Sequence, residues 1–228
     1  MKIVLIAGLW LDERAWDEVV PPLRAAGHDV AAVALPGQGD GRTDATLADQ
    51  VAAVRAAVDA AGPDPVVLVG HSAAATLAWL AVDARPESVA KVVFVGGWPA
   101  ADGERYADLF EPVDGLMRFP GWKPFEGPDA DDLDAATRER IERGAHAVPV
   151  GVSRAEVHLH DERRLAVPAV LVCPEFSPEQ AREWLEAGHL GELARIRDLE
   201  LVDIDSGHWP MFSRPQALAE LLDATATA

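Results

Sequence analysis

One stretch of the chain, residues 65–85 (PVVLVGHSAAATLAWLAVDAR), changes abruptly from a strand pattern to a helix pattern. Its first five residues are mostly β-branched and apolar, which predicts a short strand buried on both faces of a parallel sheet. After Gly70-His71-Ser72, three alanines lead into a run with apolar residues at helical spacing. A serine at such a turn stands above the sheet, beside the free N–H groups of the helix N-terminus. The stretch predicts Ser72 as a nucleophile; capping the helix is the alternative role.

The rest of the chain alternates apolar runs with amphipathic runs. The six predicted strands cover residues 2–7, 28–35, 65–69, 90–95, 168–173 and 199–204. Helices are predicted over residues 15–26, 46–61, 178–187 and 215–224, besides the one that follows Ser72. This order predicts an α/β fold, with a six-stranded, mostly parallel sheet flanked by helices and right-handed crossovers. At 228 residues, the chain is expected to form a single domain, 1–228.

The alternation stops between the fourth and fifth strands. Residues 97–164 carry prolines, glycines, an acidic run at 129–132 and one predicted helix at 133–143, without a strong strand signal. An insertion here must lie over the carboxyl edge of the sheet, so we expect a lid. Six of the fourteen aromatic residues fall in its first part: Trp98, Tyr106, Phe110, Phe119, Trp122 and Phe125. We expect some of them to form an apolar pocket wall and others a small satellite core, and sequence does not separate the two groups.

Composition excludes several classes of protein. The net charge of −18 and the lack of a basic stripe argue against nucleic-acid binding. The single cysteine, Cys173, excludes an intramolecular disulfide and a cysteine-based metal cluster, and His158 and His160 lack a third ligand. We expect no metal and no cofactor.

No apolar run is long enough for a membrane span. The first apolar run does not resemble a signal peptide, because Asp12-Glu13-Arg14 interrupts it. We therefore expect a cytoplasmic protein without membrane contact. The oligomeric state stays open.

A nucleophilic serine needs a base and an acid that orients it. His208 follows the last predicted strand, so it lies at the same sheet edge as Ser72. Glu175 is the first carboxylate after the preceding strand, and therefore the preferred acid. Asp102, Asp203 and Asp205 are the alternatives.

These residues resemble the α/β-hydrolase family, whose nucleophile elbow is written G-x-S-x-G; Ala74 replaces the second glycine here. The family places its catalytic histidine where Gly207-His208 stands, and the order Ser72, Glu175, His208 matches the family order. The resemblance implies an oxyanion hole formed by the N–H of Ala73 and that of Leu9 or Trp10. In size the chain resembles compact esterases and hydroxynitrile lyases.

The hypothesis is a serine hydrolase that cleaves a carboxylic ester of a partly apolar small molecule through an acyl-enzyme. Trp98, Phe119, Trp122 and Trp209 are the predicted substrate-binding residues. One alternative is a cofactor-free lyase that uses the same serine and histidine for proton transfer, with Lys123 the only lysine placed to assist. The other is a non-catalytic protein that binds a small molecule.

Overall fold

The computed structural model describes residues 1–227 and contains one six-stranded sheet and one two-stranded sheet. The strands are β1 Lys2–Ile6, β2 Asp29–Ala32, β3 Val66–His71, β4 Val89–Val95, β5 Leu116–Met117, β6 Val148–Pro149, β7 Ala169–Cys173 and β8 Leu199–Asp203. The large sheet has the order β2-β1-β3-β4-β7-β8, and all its pairs are parallel. The predicted α/β fold is therefore confirmed.

Eight α-helices accompany the sheet in residues 1–227. They are α1 Val20–Ala25, α2 Leu47–Ala60, α3 Ala74–Ala84, α4 Ala135–Gly144, α5 Val150–Ser153, α6 Pro178–Glu186, α7 Pro210–Ser213 and α8 Pro215–Thr227. The predicted helix 15–26 is wrong in its first part, which forms a 3₁₀ turn at Glu13–Trp16. Two prolines occupy the first turn of α1, where a missing N–H costs nothing, so the α-helix begins there.

The sheet is buried between two apolar layers. Alternate residues of β3 belong to opposite layers, with Leu68 on one side and Val69 on the other. The first layer includes residues of α2 and α3, and the second includes residues of α1 and α8. This arrangement explains why β3 has no polar alternation. None of the helices in residues 1–227 combines the length and the apolar character needed to span a membrane.

The segment between β4 and β7 carries β5, α4, β6 and α5. The sequence gives no strong strand signal here, yet β5 and β6 form a two-residue antiparallel ladder. A buried ion-pair network fixes the end of the segment: the Arg164 guanidinium lies 2.8 Å from Glu192 and 3.3 Å from Asp83 of α3. The segment is thereby attached to the helix that follows Ser72.

Candidate active site

Ser72 occupies the sharp turn between β3 and α3. Its φ is +54°, in the left-handed region that residues other than glycine rarely adopt. Such backbone strain is typical of functional sites. The Ser72 N–H donates to the carbonyl of Val95, 2.8 Å away on the neighbouring strand. Small residues surround the turn because space is lacking: a Cβ at Gly70 would lie 2.4 Å from the Ala74 carbonyl oxygen, and one at Gly97 would lie 2.5 Å from that of Ser72. Ala74 itself is fully buried.

A continuous chain of hydrogen bonds joins Ser72 to the imidazole of His208 and the carboxylate of Glu175. The Ser72 Oγ lies 2.9 Å from Nε2 of His208, and Nδ1 of His208 lies 2.7 Å from Oε1 of Glu175. Glu175 follows β7 and His208 follows β8, which are neighbours in the sheet. A proton on Nδ1, donated to Glu175, leaves Nε2 free to accept the Ser72 proton. This is the geometry that activates a serine as a nucleophile.

The other aspartates that the sequence left open lie elsewhere. The Asp102 carboxylate accepts a hydrogen bond from the Leu159 N–H at 2.8 Å, within the inserted segment. The carbonyl of Asp205, rather than its carboxylate, accepts from the Arg214 side chain. Asp203 is the last residue of β8 and pairs in register with Cys173. Glu175 is the carboxylate hydrogen-bonded to the His208 imidazole.

The backbone of His208 is held from two sides, which the sequence did not reveal. Its N–H donates to the carbonyl of Asp129 at 2.8 Å, and its carbonyl accepts from Nε2 of His71 at 2.8 Å. The preceding residue, Gly207, donates its N–H to Oδ2 of Asp132 at 2.7 Å. A Cβ at Gly207 would lie 2.4 Å from the Asp129 carbonyl oxygen. The acidic run of the inserted segment therefore lies directly against Gly207 and His208.

Three backbone amides are candidates for an oxyanion hole. Ala73 lies at the N-terminus of α3, where helix amides have no carbonyl partner within the helix. Leu9 and Trp10 follow β1 and line a cavity together with Ser72. Gly8 brings this loop close, since a Cβ there would lie 3.0 Å from the Cβ of Ser72. Within residues 1–227, the N–H groups of Leu9, Trp10 and Ala73 have no hydrogen-bond acceptor.

Two cavities meet at Ser72. The larger has a volume of about 620 Å³ and an aromatic wall made of Trp98, Phe176 and Trp184. The smaller, of about 160 Å³, is lined by Leu9, Trp10, Phe125 and Trp209. Shared by both cavities are Ser72, Leu109, Asp129, Glu175 and His208. The two substituents of a carbonyl carbon attacked by Ser72 would thus have cavities of unequal volume available to them.

The four predicted binding residues divide into two groups. Trp98 lines the larger cavity and Trp209 the smaller one. Phe119 and Trp122 are not among the residues that line these cavities. Phe119 stacks on Phe125 with the rings 5.9 Å apart, and Trp122 packs edge-on against Trp209 at 5.3 Å. These two rings form a satellite core that supports the wall, because their partners Phe125 and Trp209 line the smaller cavity.

Two aromatic residues of the larger cavity were not predicted from the sequence. Phe176 lies in the β7–α6 connection and Trp184 in α6, so both lie outside the aromatic-rich insertion 97–164. The Trp184 ring lies 5.1 Å from that of Phe176 and 5.9 Å from that of Trp98. An aromatic residue just after Glu175, followed by another within the next helix, is the sequence signal for them.

Other reactive groups are inert here. Burial raises the pKa of the Cys173 thiol to about 12, so this cysteine stays protonated. Burial is the main cause, and the charge of His208 the second, that lowers the pKa of His71 to about 3. The His71 imidazole therefore stays neutral near pH 7. Within residues 1–227, no group of three His, Cys, Asp or Glu side chains is placed to hold a metal ion.

Comparison with known proteins gives the same family. The family model described as the alpha/beta hydrolase family matches residues 3–221. Methylesterase 7 of Arabidopsis thaliana is 36% identical over 97% of this chain and 94% of its own length, and Lipase LipV of Mycobacterium tuberculosis is 26% identical over 97% and 91%. The structure of an extracellular α/β-hydrolase from a Paenibacillus species superposes with a TM-score of 0.81 at 18% identity, covering all of both chains.

The chain therefore belongs to the α/β-hydrolase family. Within that family it is a carboxylesterase-like hydrolase, as the sequence predicted.

Proposed function

We propose that this protein hydrolyses a carboxylic ester of a partly apolar small molecule through an acyl-enzyme on Ser72. The observation that carries the proposal is the chain of hydrogen bonds from Glu175 through His208 to Ser72, at the junction of two cavities. An apolar wall with a few convergent polar groups is typical of a small-molecule site.

The reaction begins when the Ser72 Oγ attacks the ester carbonyl carbon and His208 Nε2 takes the hydroxyl proton. The carbonyl π electrons move onto oxygen, and the resulting oxyanion accepts hydrogen bonds from Ala73 N–H and from an N–H of the Leu9–Trp10 loop. Collapse of this intermediate expels the alcohol, which receives the proton from His208. Water then attacks the acyl group through the same base and releases the carboxylic acid.

The cavities indicate the shape of the substrate. A bulky apolar group fits the cavity of about 620 Å³, and a short group fits the one of about 160 Å³. The name of the Arabidopsis relative, Methylesterase 7, supports an ester of a small alcohol. We therefore propose esters with one large and one small substituent.

The lyase alternative has less support. A lyase that uses Ser72 and His208 for proton transfer would need a cationic side chain close to the serine, because its charge would stabilise the expelled anion. Within residues 1–227 no lysine or arginine lines either cavity at Ser72, and Lys123 lies in the 3₁₀ turn Lys123–Phe125 outside both.

The test is labelling with a fluorophosphonate probe, followed by peptide mapping and an assay on p-nitrophenyl esters. We expect the label on Ser72, and Ser72→Ala should lose both labelling and ester cleavage while its thermal unfolding stays cooperative. Ser206→Ala is the matched control, because Ser206 lies two residues before His208 and its hydroxyl donates to the Gly207 carbonyl. Label on Ser153, Ser177 or Ser206 would contradict the proposal.

A further inference from the structure

The loop that offers Leu9 and Trp10 to the site is a strained turn. The Leu11 N–H donates to the Gly8 carbonyl at 3.3 Å, which closes a four-residue turn. Trp10, at the third position, has φ +65°. Glycine is the residue that ordinarily takes this conformation, and a bulky side chain keeps it only where the surroundings enforce it. The neighbours of this turn therefore determine whether its amides stay in place.

A buried glutamine holds both ends of the turn. Nε2 of Gln38 donates to the carbonyl oxygen of Gly8 at 3.0 Å and to that of Leu11 at 2.6 Å. Carbonyl oxygens only accept hydrogen bonds, so the group between them must carry two donors, and a primary amide does. Gln50 fixes the orientation of this amide by donating from its own Nε2 to Oε1 of Gln38 at 3.3 Å. Both glutamines are buried.

This contact sets the direction of one amide. Because no peptide bond in residues 1–227 is cis, the Leu9 N–H points opposite to the Gly8 carbonyl within the same peptide unit. The Gly8 carbonyl points to Gln38, so the Leu9 N–H points away from it. Leu9 lines the smaller cavity together with Ser72, whereas Gln38 lines neither cavity.

From these contacts we propose that Gln38 is a positioning residue for the oxyanion hole: it holds the Gly8–Leu11 turn so that the Leu9 N–H stays directed to the oxyanion. The inference rests on the proposed function, since it assumes attack by Ser72. Two further contacts from the inserted segment assist, because the His146 N–H donates to the Trp10 carbonyl at 2.8 Å and the Trp10 indole donates to the Met117 carbonyl at 3.3 Å.

The test replaces Gln38 by a residue of the same shape that lacks the amide donors. Gln38→Glu places carboxylate oxygens against two carbonyls, and Gln38→Met removes the donors without burying a charge. We expect kcat on a neutral ester to fall by about 10²-fold, as for loss of one oxyanion donor, with KM within about threefold of wild type. Gln216→Glu, an isosteric change on the exposed face of α8, is the control and should leave kcat and KM unchanged.

A second readout separates positioning from a merely structural role. An alkyl trifluoromethyl ketone reacts reversibly with the serine: Oγ bonds to the carbonyl carbon, the proton moves to His208, and the oxyanion forms. The matched methyl ketone binds without this addition. We expect the Gln38 variants to weaken the trifluoromethyl ketone by the same factor as kcat and to leave the methyl ketone unchanged.

The outcomes are distinct. Variants that keep kcat and trifluoromethyl ketone affinity within threefold of wild type would overturn the inference, and so would an equal loss of affinity for both ketones. If the wild-type protein neither cleaves esters nor binds the trifluoromethyl ketone, the proposed function itself fails. An active wild type, together with Gln38 variants that lose kcat and trifluoromethyl ketone affinity but keep methyl ketone affinity, supports both the proposed function and the positioning role of Gln38.

Discussion

The imidazole of His71 donates a hydrogen bond from Nε2 to the backbone carbonyl of His208, 2.8 Å away. A carbonyl cannot donate, so the neutral ring carries its proton on Nε2. Its Nδ1 is buried and has no partner within residues 1–227. His71 thus supports the backbone of His208, and the ring centroids of the two histidines lie 5.0 Å apart.

The buried His71 predicts how stability depends on pH. The pKa of His71 is about 3 in the folded protein, against an ordinary value of 6.5, so below pH 6.5 the unfolded chain binds a proton that the folded protein does not. Folding stability should therefore fall as the pH decreases from 6.5 towards 3, by about 1.4 kcal/mol per pH unit from this residue alone. His71→Gln keeps a side-chain donor without titrating, and its unfolding free energy should fall less steeply. Urea denaturation at pH 7, 6, 5 and 4 measures both slopes; parallel slopes would refute the prediction.

Glu175→Gln should keep the fold and lower kcat by roughly 10³- to 10⁴-fold. The neutral amide favours the wrong tautomer of His208 and no longer stabilises the imidazolium, which is the scale expected for an acid in this role. Asp203→Asn and Asp205→Asn are matched controls and should each cost far less. Steady-state kinetics on one ester measures the effect. A Glu175→Gln enzyme within about tenfold of wild type, or roughly 1.4 kcal/mol in the barrier, beside a crippled aspartate variant would reassign the acid.

The sequence predicts the sheet and the edge at which the site lies, because both follow from local patterns. Ser72 and His208 each follow an apolar strand, and parallel strands bring their carboxyl ends to one edge. Contacts between distant segments have no such pattern. The acidic run 129–132 carries no periodicity that would place it against Gly207, and nothing local separates Phe119, which supports the wall, from Phe176, which forms it.

The contact between Asp132 and Gly207 predicts that the inserted segment supports the base. Oδ2 of Asp132 accepts the Gly207 N–H at 2.7 Å, and Oδ1 is buried without a partner in residues 1–227. Asp132→Ala leaves the amide without an acceptor, so kcat should fall by about tenfold or more, within the range for a lost hydrogen bond to a charged group. Asp132→Asn retains an oxygen acceptor and should recover most of this loss.

The measurement for Asp132 is the rate of fluorophosphonate labelling, which depends on the base, alongside thermal unfolding. Asp131→Ala, its exposed neighbour, is the control. Equal labelling rates in wild type and Asp132→Ala would contradict a role in holding His208.

The aromatic wall predicts the selectivity for chain length. Trp98 lines the larger cavity, so Trp98→Ala should extend activity to longer acyl or alkyl groups. Trp122 packs behind Trp209 rather than lining a cavity, and Trp122→Phe should leave the chain-length profile unchanged. The ratio of kcat/KM for long and short p-nitrophenyl esters measures the profile. An unchanged ratio in Trp98→Ala would exclude this residue as a determinant.

The charges around the larger cavity predict that anionic esters are poor substrates. Three acidic residues, Glu104, Asp129 and Glu175, are among those that line it. The pKa of Asp129 is raised by burial and by the charge of Glu175, while His208 opposes the rise. Raising the pKa of an acid reflects an environment that disfavours negative charge, and the carboxylate of a substrate would meet the same environment.

Monomethyl glutarate and methyl pentanoate form a matched pair, because a carboxylate in the first replaces a methyl group in the second. At pH 7.5 and low salt, we expect kcat/KM for monomethyl glutarate to be about tenfold lower or more, as for like charges near a protein surface. The difference should narrow in 0.5 M NaCl, which screens these charges, and in Asp129→Asn, which keeps the backbone carbonyl that holds His208. Glu139→Gln, on the exposed face of α4, removes a charge away from both cavities and should leave the ratio unchanged. Equal rates for the two esters in the wild-type enzyme would show that the carboxylates do not select substrates by charge.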